Sequence, residues 1–236
     1  MTKTKKSYDS VPIQWLEITD STNSDVRRSL DTLANLSVIA ARFQTAGRGQ
    51  GTHTWLSPKD ENLTFSILLR FGNGDIPEFP ATEAVRITQV ATLAVHDFLL
   101  SEGIVSRIKW PNDIWVADRK ICGMLIENIL DGPVVRSSIV GIGINLNQDA
   151  FDPSLPNPVS LSMLTGRHYG LEETLERIYD AICRRVALLG SPDGYIELEK
   201  AFNEHLFYLE KSKQDALLEA IEGFEASKSP RLDQEH

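Results

Sequence analysis

Between two apolar runs, Val38–Phe43 and Leu63–Leu69, the chain carries Gln44-Thr-Ala-Gly-Arg-Gly-Gln-Gly-Thr-His-Thr-Trp-Leu-Ser-Pro58. Short apolar runs bounded by turn-forming sequence read as strands. A sheet must therefore hold both ends of a long glycine loop, a common place for a binding site. Gly47, Gly49 and Gly51 alternate with other residues, and Arg48 stands between the first two. Glycine admits positive φ and close approach to a ligand. The loop is expected to present successive main-chain N–H groups to an anion, with the arginine adding a cationic fork.

The rest of the chain sets the scaffold. Val11–Ile18 reads as a first strand. Asp20-Ser-Thr-Asn-Ser-Asp25 is dense in N-cap residues and predicts a helix to about Asn35. Val85, Val90, Leu93, Ala94, Phe98 and Leu99 put an apolar stripe at helical spacing on Pro80–Glu102, and Gly103 ends it. Short strands are expected at Val105–Lys109, Ile114–Val116, Ile121–Ile129 and Val134–Ile144, with Ala117–Lys120 as a tight turn. Phe71–Asp75 also reads as a turn. Phe151–Pro158 holds three prolines and reads as loop. Leu171–Leu189 predicts a second long helix. Beyond Gly190 the sequence turns charged and helix-prone over Tyr195–Glu225, then polar. Hairpins mixed with helices indicate an α+β fold: a mixed, largely antiparallel β-sheet flanked by helices.

A net charge of −9 argues against general nucleic-acid binding, which needs a basic surface. It is compatible with an enzyme that handles nucleotides through a few local cations. No apolar run approaches the ~18 residues of a membrane span, and no signal-peptide core follows the basic N-terminus. Cys122 and Cys183 show no metal or redox spacing, so a cytoplasmic location is expected.

Three further segments carry chemistry. In Arg107-Ile-Lys-Trp-Pro-Asn-Asp-Ile114, Asn112 and Asp113 are expected at the exit of a strand. The Asp could hold Mg²⁺ or a ribose, and the Asn could orient a phosphate or a base edge. Pro-Asn-Asp is equally good turn chemistry. In Asp118-Arg-Lys-Ile-Cys-Gly123, Lys120 is either a plain turn lysine or a cation aimed into a pocket. In Val140-Gly-Ile-Gly-Ile-Asn-Leu-Asn147 the dinucleotide fingerprint fails, since neither the last glycine nor a helix follows. Two glycines in a strand suggest instead close approach of a backbone or ligand, with Asn145 a candidate polar contact. Ser21-Thr-Asn23 reads either as a helix cap or as a ligand contact. Trp15, Trp55 and Trp110 read first as core, and of the three Trp55, on the loop, is the best candidate for stacking on a base.

Taken in order, these pieces resemble the biotin protein ligase family: Ser21-Thr-Asn23, Gln44-Thr-Ala-Gly-Arg-Gly49, Trp55-Leu-Ser-Pro58, Asn62-Leu63 with Ser66, Lys109-Trp-Pro-Asn-Asp113, Asp118-Arg-Lys120 with Gly123, and Gly141-Ile-Gly-Ile-Asn145. The resemblance spans about residues 11 to 190. It implies a catalytic domain over 1–190, of the fold shared with class II aminoacyl-tRNA synthetases, followed by a divergent tail over 191–236. It implies ATP-dependent ligation of biotin, through biotinyl-5′-AMP, to a lysine of a biotin carboxyl carrier protein. Lys120, Arg48 and Asp113 would be catalytic, with Asp113 also the candidate Mg²⁺ ligand. Ser21, Thr22, Asn23, Gln44, Gly47, Arg48, Gly49, Lys120 and Gly123 would bind biotin. Arg48, Gln50, Trp55, Asn112 and Asn145 would bind ATP or the adenylate. Many family members carry a second arginine where Gln50 stands. The chain begins just before the matched segments, so the winged helix-turn-helix of repressor members, and with it a DNA partner, is not expected. No membrane partner is expected, and a homodimer is left open. The runner-up readings are a lipoate or octanoate ligase or transferase on the same fold, and a biotin-binding module that has lost turnover.

Overall fold

Strands β2 (Val38–Ala41), β3 (Leu63–Arg70) and β8 (Val134–Ile144) bury nearly every residue, which is why they read as unbroken apolar runs. The computed structural model describes residues 13–72 and 76–207. Val11, Pro12, the tip of the Phe71–Asp75 turn and the sequence after Phe207 lie outside those residues.

One mixed sheet runs β1-β2-β3-β8-β7-β6-β5. Its remaining strands are β1 (Ile13–Leu16), β5 (Arg107–Lys109), β6 (Asp113–Val116) and β7 (Arg119–Asp131). The short β4 (Phe79–Pro80) pairs with the start of β8. Among the strands of the described residues, β1 and β2 pair in parallel and the other strand pairings are antiparallel, as expected for an α+β chain. The helices are α1 (Thr22–Arg28), α2 (Val85–Ser101), α3 (Leu161–Thr165), α4 (Leu171–Val186) and α5 (Pro192–His205).

Side-chain alternation assigns the two faces of the sheet. Phe65, Ile67 and Leu69 of β3, Val140, Ile142 and Ile144 of β8, and Cys122 and Met124 of β7 join the main core. Helices α2, α4 and α5 pack together over that core, α5 contributing Leu198 and Phe202. Each fully buried Leu, Ile or Phe there contributes about 1.5–3 kcal/mol. On the opposite face Ile39, Leu68 and Ile139 meet Val26 of α1 in a smaller cluster. The short α1 leaves part of this second face uncovered, and the site lies there.

Several boundaries differ from expectation. Helix α1 stops at Arg28, because the carbonyls of Leu30 and Leu33 accept hydrogen bonds from the Arg70 guanidinium, which holds that segment as it turns into β2. Helix α4 tightens into a 3₁₀ turn over Ala187–Gly190. Strand β4 and helix α3 are too short to carry a periodic signal. Trp110 is 56% exposed, not core, and only its edge meets Phe202.

Candidate functional site

The floor of the site is glycine. Gly123 of β7 pairs with Gly143 of β8, and Gly141 lies on the same face. A Cβ at Gly141 would stand 2.1 Å from Asn23 Oδ1, and one at Gly143 would stand 2.4 Å from the Trp55 ring. The two glycines of the Gly-Ile-Gly strand thus let a helix start and an indole lie directly on the sheet. The indole Nε1 is buried without an acceptor. Above this floor is a cavity of about 500 Å³. Every residue predicted for the site lines it except Gly47.

The glycine loop is a small hairpin. The Gly49 N–H donates to the His53 carbonyl (2.8 Å), the His53 N–H to that of Gln50 (3.0 Å) and the Trp55 N–H to that of Gly47 (2.9 Å). These bonds close the loop on itself and turn the Gly49 N–H inward, whereas the sequence suggests a row of N–H groups all open to an anion. Gly47 is required by closure rather than by ligand, since a Cβ there would stand 2.3 Å from the Trp55 carbonyl oxygen. Arg48 is left as the loop's charged group. Its guanidinium meets Glu127 of β7 at 2.7 and 3.4 Å.

At the start of α1, capping comes from elsewhere. Asp20 Oδ1 accepts from the Ser21 N–H (2.7 Å) and Gln44 Oε1 from the Thr22 N–H (2.8 Å). The Ser21 side chain therefore makes no cap bond. Thr22 Oγ1 lies 2.7 Å from Ser66 Oγ, which donates to Asn23 Oδ1 (2.5 Å). Asn23 Nδ2 donates to Glu127 (2.9 Å) and to the Leu125 carbonyl (3.2 Å). Burial pushes the Glu127 carboxyl up, but donation from Asn23 and the nearby Arg48 and Arg27 charges bring it below its ordinary value.

Opposite lies a second ion pair. Lys120 Nζ sits 2.7 Å from Asp113 Oδ1, both side chains partly buried. The Lys120 backbone is clamped by the proline-rich loop: its N–H donates to Asn157 (2.8 Å) and its carbonyl accepts from Val159 (3.0 Å). Asp113 opens β6 opposite Gly123 rather than ending a strand, so Pro-Asn-Asp forms the turn between β5 and β6 on the cavity rim. Asn112 Nδ2 donates to the Met124 carbonyl (2.6 Å) and Asn145 Nδ2 to that of Val159 (3.1 Å). Those two amides fasten the walls of the cavity with the groups that sequence reasoning reserved for a nucleotide.

Sequence reasoning missed Glu127, the Lys109–Trp115 stack (4.1 Å) and the apolar wall of Phe151, Leu155 and Pro156. Arg48, Lys109 and Lys120 face one lining carboxylate, Asp113, so the cavity is locally cationic within an acidic chain. Among the described residues no three His, Cys, Asp or Glu side chains gather as a metal cage. A single carboxylate already paired with lysine does not fit a protein-held Mg²⁺.

A flat floor, flanking cations and an arginine loop define a site for a small anionic ligand with a planar part, on a mixed sheet with helices behind it. The chain matches the biotin/lipoate A/B protein ligase family over residues 15–145. It is 35% identical over 178 residues to a biotin–[acetyl-CoA-carboxylase] ligase of Paracoccus denitrificans, covering 72% of this chain and 71% of that protein. It is 30% identical over 150 residues to the bifunctional ligase/repressor BirA of Escherichia coli, covering 63% of this chain but 45% of that protein. The structure superposes on the biotin protein ligase of Aquifex aeolicus in complex with biotin and ATP, with TM-score 0.71, 26% identity, and coverage of 84% of this chain and 79% of that one. The chain belongs to the biotin/lipoate A/B protein ligase family.

Proposed function

We propose that the protein is a biotin ligase: it joins biotin to ATP as biotinyl-5′-AMP with release of pyrophosphate, then passes the biotinyl group to a lysine of a biotin carboxyl carrier domain with release of AMP. The observation that carries this reading is the placement of Lys120 and Arg48 with the Ser21–Asn23 segment around one glycine-floored cavity. The similarity to biotin ligases along most of the chain supports it.

The first step brings a carboxylate up to a triphosphate, and their repulsion must be offset by fixed cations. Lys120, clamped through its backbone, contacts both the biotin carboxylate and the α-phosphate. Arg48 binds the adenylate from the loop side. Ser21, Thr22, Asn23 and Gln44 hold the polar ring of biotin. Trp55 and Asn145 border the nucleotide. Mg²⁺ enters on the triphosphate, not in a protein cage. In the second step Asp113 stands beside the mixed anhydride, where it can take the proton of the incoming lysine amine.

Purified protein incubated with ATP, Mg²⁺, biotin and a carrier domain should yield biotinylated carrier by mass spectrometry. Absence of product with several carriers, or a preference for lipoate over biotin, contradicts the reading.

A further inference from the structure

Glu127 does not line the cavity, yet it touches both sides of it. Its carboxylate takes the Arg48 guanidinium at 2.7 and 3.4 Å and the Asn23 amide at 2.9 Å. Arg27 adds an outer contact at 3.2 Å. From Asn23 the bonds continue through Ser66 to Thr22, at 2.5 and 2.7 Å. One carboxylate on a rigid central strand therefore ties the loop arginine to the start of α1. The Glu127 side chain is 20% exposed, so these bonds are partly sheltered from water. Among the described residues, Glu127 is the side chain that fixes the direction of the Arg48 guanidinium.

We infer that Glu127 is a positioning residue for adenylate formation, which aims Arg48 at the reacting phosphate and Asn23 at biotin. The inference rests on the ligase reading above. Two separable consequences follow. The effect on kcat runs through Arg48, and the effect on the KM for biotin runs through Asn23. The long glutamate side chain matters as well as its charge, because both partners must be reached at once.

The test is a double-mutant cycle with Glu127→Gln and Arg48→Ala, read by biotin-dependent pyrophosphate release and by calorimetric biotin binding. Glu127→Gln should lower kcat roughly tenfold, the worth of one charge-assisted hydrogen bond, and weaken biotin binding by a similar factor. In the Arg48→Ala background it should leave kcat unchanged within about twofold while still weakening biotin. Equal kcat losses in both backgrounds, or none in the wild-type background, overturn the proposal. If Glu127→Gln does not fold, Glu127→Asp carries the same cycle; failure of both to fold makes Glu127 a folding residue and overturns it too. An active wild type with a silent Glu127→Gln sinks only the positioning role. A wild type that neither releases pyrophosphate nor binds biotin sinks the ligase reading and this proposal with it.

Discussion

Gly143 shows how much a single hydrogen atom can decide. A methyl group there would stand 2.4 Å from the Trp55 ring, well inside van der Waals contact. Gly143→Ala should lift the indole off the sheet, shift its fluorescence and weaken biotin or adenylate binding by about tenfold or more. Unchanged binding would deny the floor its role. The glycine pair was legible in the sequence as a place of close approach. What approaches was not, since Trp55 and Asn23 are distant along the chain and only the sheet brings them there. Glu127 left a fainter trace, a charge inside the apolar run Ile121–Ile129. Its partners are fixed by strand register and loop closure, which no local pattern encodes.

At the scale of elements, α2 is held to its neighbours by buried polar groups. His96 is buried, its Nδ1 2.9 Å from Ser106 Oγ and its ring stacked at 3.9 Å on His205 of α5. Burial above all, with the neighbouring His205 charge, pushes its pKa down to about 4. A histidine depressed in the fold stays neutral while the unfolded chain takes up a proton. Stability is therefore lost as pH falls from about 6.5 to about 4, by up to ~3 kcal/mol, and is independent of this group above that window. Chemical denaturation across that pH range should show the slope, and His96→Gln should flatten it. A slope unaltered by the substitution would assign it elsewhere. At the C-terminal end of α2, the Glu102 carboxylate meets Arg167, Arg177 and Tyr169. Burial alone would raise its pKa, but these donors and charges hold it below the ordinary range. Glu102→Gln should cost about 1–3 kcal/mol at neutral pH, measured by urea unfolding. The long helices were legible because α2 and α4 keep an apolar stripe over many turns. The early end of α1 was not, because an arginine on β3 sets it.

For the whole molecule, one sheet separates two jobs. Its helix-backed face holds the fold, and its other face, half covered by α1, holds the site. A ligand that binds only the folded state must then stabilise it. Biotin with ATP at about a hundred times their dissociation constant should add roughly 2.7 kcal/mol, a rise of about 5–10 °C in Tm for a chain of this size. Lipoate with ATP should give no comparable rise. The α+β class and the order of the long strands along the chain followed from sequence, and all but one of the residues expected at the site line the cavity, though its apolar wall was not foreseen. The inward bond of the Gly49 N–H did not follow, because it depends on a hairpin closure between Gly47 and Trp55 that no local pattern encodes.

Lys120 is the central cation of the site, and the most direct measurement is pyrophosphate release from ATP, with and without biotin, for the wild type and for Lys120→Ala. The account predicts biotin-dependent release by the wild type and a loss of about 10²–10³-fold in kcat for the variant, the usual cost of removing one preorganised charge-stabilising group. Release that does not depend on biotin, or a Lys120→Ala variant that runs at the wild-type rate, would contradict it.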